Sequence, residues 1–190
     1  KYLINDDGSV GESNDVKTVS LEHKMGIKAS PTAVLSFGDE GEGSVGYLVG
    51  EERQGMRYMF TMMNNARLVV GLSGVAIGEI AYQNALAYAQ ERIQGRPIGA
   101  PKDQATPIIA HANVRRMLMT MKAQVEAMRA VLLENAYALD RAKSHPDEET
   151  RQRDQLYADL LTPVSKAWAT DLGIEVTSMA IQVYGGMGYI

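Results

Sequence analysis

Three groups of residues carry side chains suited to chemistry. Asn64-Asn65-Ala66-Arg67 sets a guanidinium among apolar neighbours. Such a group needs acceptors, so Arg67 either pairs with a carboxylate in the core or faces a ligand. Glu91-Arg92 and Gly95-Arg96 stand at what reads as a helix C-terminus, where cations are favoured in any case and an anion could be held. Gly185-Gly186-Met187-Gly188 has the composition of a phosphate-cradling loop, yet it follows a helical pattern rather than a strand. It either binds a ligand or stops that helix. No Ser/His/Asp set stands out, and no GxxxxGK[ST] loop occurs.

These groups are positioned by long helices. Met56 to Gln94 contains no proline and reads as one helix, roughly 55 Å long at about 1.5 Å per residue. Its apolar residues fall on more than one face, which predicts a helix buried among neighbours. Gly71, Gly74, Gly78, Ala81 and Ala85 fall at steps of three and four and form a stripe of small side chains. Each glycine costs the helix up to about 1 kcal/mol, so the stripe either admits another backbone closely or breaks the helix. A second helix is predicted from Ala112 to Arg141, with a seam of Val114, Leu118, Met121, Val125, Met128, Leu132 and Leu139. A third runs from Glu148 to about Leu161. Thr162-Pro163 then has the form of an N-cap followed by a first-turn proline and predicts a new or kinked helix reaching Gly185.

Residues 1–54 differ. Tyr2–Ile4, Val16–Leu21, Ala33–Phe37 and Val45–Val49 are β-prone runs separated by the turn-forming stretches 5–9, 13–15 and 38–43. They predict a small antiparallel set of about four strands. The fold class expected is therefore α+β, mainly α: a partial antiparallel β domain (1–54) followed by an up-down helical bundle (55–190).

Composition narrows the function. The chain has 190 residues, 45% hydrophobic and 22% charged, with a formal charge of −4. No basic block points to nucleic acid. The absence of cysteine removes disulfide and thiolate chemistry and is compatible with a cytoplasmic setting. Three histidines without a close acidic cluster do not make a zinc site. The start, KYLINDDGS, has no apolar signal-peptide region. The stretch from Leu68 to Ile80 is only about a dozen residues without a charge, short of the roughly 20 a bilayer needs.

The order of motifs is LEHKMGIKASPT, then NNAR in a long helix, then AYAQERIQGRPIG, then a helical pair ending in TSMAIQVYGGMGYI. In this order the chain resembles the FAD-dependent acyl-CoA dehydrogenase family, from the second part of its middle β domain through most of its carboxy-terminal helical domain. The likeness is greatest to the branch that includes 3-methylmercaptopropionyl-CoA dehydrogenases. Gln182-Val183-Tyr184-Gly185-Gly186-Met187-Gly188-Tyr189 is its most specific part.

The resemblance implies roles. Arg92, with Ile93 and Gln94 alongside, matches the family's contact to the FAD pyrophosphate of a neighbouring subunit. Gln182, Val183, Tyr184, Gly185 and Gly186 match the stretch lining the adenosine-diphosphate part of that flavin, and His111 matches a further flavin contact. Asn64, Asn65, Ala66 and Arg67 fall along the CoA part of the substrate, and Ser30 of the KMGxxxS element also lies on the CoA side. Asn64 stands where the family usually has aspartate, and Arg96-Pro97 interrupts its usual phenylalanine-glycine. The family's catalytic glutamate falls beyond the GGxG stretch, past Ile190, so no catalytic residue is assigned and the chain alone is expected to be inactive. The implied whole is a homodimeric or homotetrameric oxidoreductase of fatty acid metabolism that acts on acyl-CoA, with an electron-transfer flavoprotein as acceptor. Two other readings share these residues: an acyl-CoA oxidase of the same fold, and a non-catalytic helical interaction module whose glycines only end a helix.

Overall fold

Turn chemistry and short β-prone runs produce the first of two compact units, Lys1–Met56 and Arg57–Ile190. The computed structural model describes residues 2–41, 43–101, 103 and 105–190; Glu42, in the expected turn 38–43, lies outside the described residues. In the first unit β1 (Tyr2–Ile4) pairs antiparallel with β2 (Val10–Ser13), and β3 (Val16–Leu21) pairs antiparallel with β4 (Ala33–Phe37). The result is two separate two-stranded ribbons rather than one four-stranded set. None of the described residues of this unit is fully buried.

Two strand expectations are corrected. Val10–Ser13 is a strand, because the turn at Asn5–Ser9 folds Val10 opposite Ile4. Val45–Val49 is not a strand. Its first residue is held by a side chain instead: Val45 N–H donates to Asn14 Oδ1 at 2.9 Å, and Asn14 Nδ2 donates to Val45 O at 2.8 Å.

The second unit is three long helices: α1 (Gly55–Glu91), α2 (Ala112–Ser144) and α3 (Glu148–Tyr184). The small-residue stripe of α1 faces both partners. A Cβ added to Gly71 would lie 3.0 Å from Ser165 O, and one on Gly74 only 2.2 Å from Ala169 O. Gly78 faces Val125 and Met128 of α2, each 3.3 Å from a built Cβ, whereas Gly71 faces Leu132. Rising numbers on α1 thus meet falling numbers on α2 and rising numbers on α3, which is up-down-up topology.

The core is the predicted α2 seam. Leu118, Met121, Val125, Met128 and Leu132 are buried, with Met117 and Ala138 added and Leu139 half-buried. α1 buries Gly71, Gly74, Val75, Gly78, Ala85 and Ala89, whereas Val69, Leu72, Ile77 and Ile80 are exposed. It is therefore buried on its small-residue side and not all round.

The helix boundary expected at Thr162-Pro163 is also corrected, because α3 continues through Pro163. Proline's φ suits a helix, but inside one it removes a backbone bond and crowds the carbonyl four residues back, at a cost of about 3 kcal/mol. The Thr162 hydroxyl donates back to Ala158 O at 2.7 Å, and buried Asn135 of α2 donates to Ser165 Oγ at 3.2 Å and Thr162 Oγ1 at 3.4 Å. Cross-helix bonds on both sides of the proline hold the helix together. α3 opens on Asp147, whose carboxylate accepts from the N–H of Thr150 at 2.9 Å.

Candidate functional site

α1 ends three residues earlier than predicted, and Arg92 is the first residue past it. Its N–H donates to Tyr88 O at 2.8 Å, and its carbonyl accepts from Ile108 N–H at 2.8 Å. Ile93 forms a bridge to Pro107, and Gln94 N–H donates to Thr106 O at 3.2 Å. The His111 Nε2 lies 2.9 Å from Gln94 O. The segment that carries Arg92 is thus fixed along its backbone, leaving an exposed guanidinium on a rigid mount.

At the far end of α3, Gly185 caps the helix with φ +60°, its N–H donating to Gln182 O, and Gly185–Tyr189 forms a 3-10 turn. Gln182 Nε2 donates to the Tyr189 hydroxyl. Each glycine has a different reason to be glycine. Gly185 takes a left-handed φ that other residues adopt at a cost. Gly188 has no room, since a Cβ there would lie 2.6 Å from Ile181 O. Gly186 has neither constraint: its φ is not left-handed, and nothing lies within 4 Å of a built Cβ. Nothing inside the fold requires glycine at 186, so the open backbone there is free for an incoming group.

The two helix ends meet. The rings of Tyr88 and Tyr184 stack at 4.3 Å between centroids and 18° between planes, and the Tyr184 hydroxyl lies 3.3 Å from Asn84 O. A cavity of about 370 Å³ opens beside them. Of the nine residues expected at the flavin, Arg92, Gln94, Val183, Tyr184, Gly185 and Gly186 line it. Ile93, His111 and Gln182 do not; they support it, through the bridge to Pro107, the contact with Gln94 O and the bond to Tyr189. Sequence reasoning missed Tyr88, Ile108, Met187 and Ile190, which also line the cavity. Tyr88 was within reach, one helical turn before Arg92.

The cavity suits an anion. Arginine keeps its charge at any ordinary pH and donates through a planar fork. It stands beside glycine backbone that a phosphate can approach. The walls are mixed, with aromatic and aliphatic side chains beside the polar groups, which matches a ligand that is part heterocycle and part anion.

The second expected group lies elsewhere. Arg67 is 25 residues before Arg92, about 37 Å along a helix at 1.5 Å per residue, so the two do not share a cavity. The Arg67 guanidinium lies over Phe60 at 5.9 Å, and its Nη2 is 3.8 Å from Met63 Sδ. Among the described residues the ion pair of α1 runs from Glu79 to Arg129 at 2.6 Å, not through Arg67. Asn64 is half-buried on the same side, while Asn65 and Ala66 are exposed. Ser30 belongs to the first unit, in a turn where its N–H donates to Ile27 O at 3.3 Å and its carbonyl accepts from Lys24 Nζ at 2.5 Å. Among the described residues no group of three or more His, Cys, Asp or Glu is placed to hold a metal, and no helix is long and apolar enough to cross a membrane.

Residues 53–190 match the family model described as acyl-CoA dehydrogenase, C-terminal domain. The chain is 47% identical over all its 190 residues to 3-methylmercaptopropionyl-CoA dehydrogenase of Ruegeria pomeroyi, of which it covers 32%. It is 37% identical, over its whole length, to a butyryl-CoA dehydrogenase of Syntrophomonas wolfei, again covering 32% of that protein. It thus spans about a third of the length of these curated relatives. Among solved structures, butyryl-CoA dehydrogenase from Megasphaera elsdenii superposes with a TM-score of 0.71 at 25% identity, over 93% of this chain and 40% of that one. ACDH-11 of Caenorhabditis elegans, in complex with C11-CoA, gives 0.77 at 20% identity over 100% of this chain and 32% of that one, a likeness of fold.

Proposed function

The chain belongs to the acyl-CoA dehydrogenase family, and from that premise we propose that the cavity between α1 and α3 holds the diphosphate part of FAD in an enzyme that α,β-dehydrogenates acyl-CoA thioesters. The observation that carries this reading is the convergence of Arg92 with Gly185 and Gly186 on one cavity. When bound, FAD supplies the acceptor for the two electrons removed from the acyl chain. Arg92 binds the pyrophosphate by charge-assisted hydrogen bonds, Gly186 lets the ligand come close, and His111 and Gln182 keep the cavity walls in place. Gln94, Val183 and Tyr184 form the remaining wall, and Ile93 anchors the strand-like segment behind it.

In the same proposal Asn64 and Arg67 of α1 take the CoA moiety, with Asn65 and Ala66 along its edge. None of this chain's acids is assigned the part of the catalytic base. A neighbouring copy supplies the flavin that this cavity holds, which makes the enzyme a homodimer or homotetramer, and an electron-transfer flavoprotein takes the electrons onward in the cytoplasm.

The test is anaerobic. FAD-loaded protein carrying this sequence is mixed with butyryl-CoA or with 3-methylmercaptopropionyl-CoA while the visible flavin absorption is followed. Bleaching by at least one thioester, and not by free CoA, is the expected result. A flavin left oxidised by both would overturn the proposal.

A further inference from the structure

We propose that the stacked Tyr88–Tyr184 pair is a positioning clamp: it holds Arg92 at a fixed place relative to Gly185 and Gly186, and the affinity of the cavity for its ligand depends on that contact. This rests on the reading that the cavity takes the FAD diphosphate.

α1 and α3 pass backbone against backbone at Gly74 and Gly173. Beyond that crossing α1 runs 14 residues to Tyr88 and α3 runs 11 to Tyr184, about 21 Å and about 16 Å at 1.5 Å per residue. Between the crossing and the tips the two helices share the buried core through Ala85, Ala89, Val176, Ala180 and Val183. The ring stack at 4.3 Å joins them at the cavity itself, and the Tyr184 hydroxyl adds a hold on Asn84 O at 3.3 Å, the carbonyl one turn before Tyr88. Both tyrosines line the cavity and are joined through the backbone to its ligand-facing groups. Arg92 N–H is bonded to Tyr88 O, and Gly185 is the residue after Tyr184. A shift of either ring therefore moves one half of the cavity against the other. Because both tyrosines also line the cavity, the clamp is read from the Arg92 factor and not from the affinity of a tyrosine variant alone; a two-point anion site loses affinity when its points move apart.

The test is a double-mutant cycle on FAD affinity, read by flavin fluorescence in apo protein carrying this sequence. In the wild-type background Arg92→Ala weakens binding by about 30- to 1,000-fold. In the Tyr184→Leu background the clamp is already open, and the same substitution costs less than about fivefold, because coupled residues are not additive. Tyr184→Phe keeps the ring and the full Arg92 factor. Where Tyr184→Leu does not fold, Tyr88→Leu takes its place in the cycle. A merely structural pair lowers the melting temperature but leaves the Arg92 factor equal in both backgrounds, and that result overturns the clamp while leaving the FAD reading intact. Loss of the factor in Tyr184→Phe overturns stacking as its cause. No effect of Arg92→Ala even in the wild-type background removes the FAD reading, and the clamp with it.

Discussion

Gly74 of α1 and Gly173 of α3 lie backbone to backbone: a Cβ on Gly173 would sit 3.3 Å from Gly74 Cα. Gly71 and Gly74, which weaken α1 as a helix, are placed where another main chain passes. The crossing sets the parallel alignment of α1 and α3, and that alignment brings Arg92 and Gly185 to the same end of the bundle.

Gly74→Ala is expected to destabilise the protein by at least about 1–3 kcal/mol, because the new methyl meets a backbone carbonyl that cannot swing aside. Gly78→Ala is the control. Its methyl meets side chains and no backbone, the flexible Met128 Cε and the Val125 Cγ2, both at 3.3 Å, and the helix gains up to about 1 kcal/mol of propensity, so its stability stays near wild type. Urea midpoints at constant slope separate the two; equal midpoints would contradict the close crossing.

Asn135→Ala should cost about 1–3 kcal/mol by removing the donor that bridges α2 to Thr162 and Ser165. Pro163→Ala should do the opposite, restoring a backbone bond in an already continuous helix and raising stability by up to about 3 kcal/mol. Thermal unfolding followed by circular dichroism checks both. An Asn135→Ala variant as stable as wild type would mean that the buried bridge is idle.

The cap of α3 makes a pH prediction. Hydrogen bonds from the Thr150 hydroxyl and N–H hold the Asp147 carboxyl below its ordinary 3.8. A carboxyl with a lowered folded pKa contributes stability above 3.8, and that contribution is lost as pH falls through the lower folded value. Asp147→Asn keeps a capping side chain but removes the titration, so its acid-unfolding profile should be flatter below pH 3.8. An acid limb identical to wild type would contradict the assignment.

Local sequence made most of the bundle legible. The α2 seam from Leu118 to Leu132 and the glycine stripe of α1 both report a packed face directly, since helical spacing is written in the chain itself. The errors lie where a distant partner decides. Thr162-Pro163 has the local form of a helix start, but Asn135 on another helix keeps the threonine inside a continuous one. Val45–Val49 has β-prone residues but, among the described residues, no strand opposite it, whereas Val10–Ser13 has a poor strand composition and a partner supplied by the turn before it. At the site, Arg92 and Gly185–Gly186 were visible as separate candidates. Their meeting was not, because it depends on the crossing at Gly74 and on the stack of Tyr88 against Tyr184. Gly186 could be separated from its neighbouring glycines only once its backbone and surroundings were seen.

In the proposed function Arg92 is a ligand-holding cation rather than a charge that merely offsets the carbonyl end of α1. Titration of FAD into apo wild-type, Arg92→Ala and Arg92→Lys protein tests it most directly. Loss of charge-assisted bonds to a buried phosphate costs on the order of 2–4 kcal/mol, roughly 30- to 1,000-fold in affinity at about 1.4 kcal/mol per decade. Lysine recovers only part of this, because an ammonium lacks the planar fork. The expected order is wild type tightest, lysine intermediate, alanine weakest. Equal dissociation constants for all three, with at most about 1 kcal/mol of stability lost at the helix end, would contradict it.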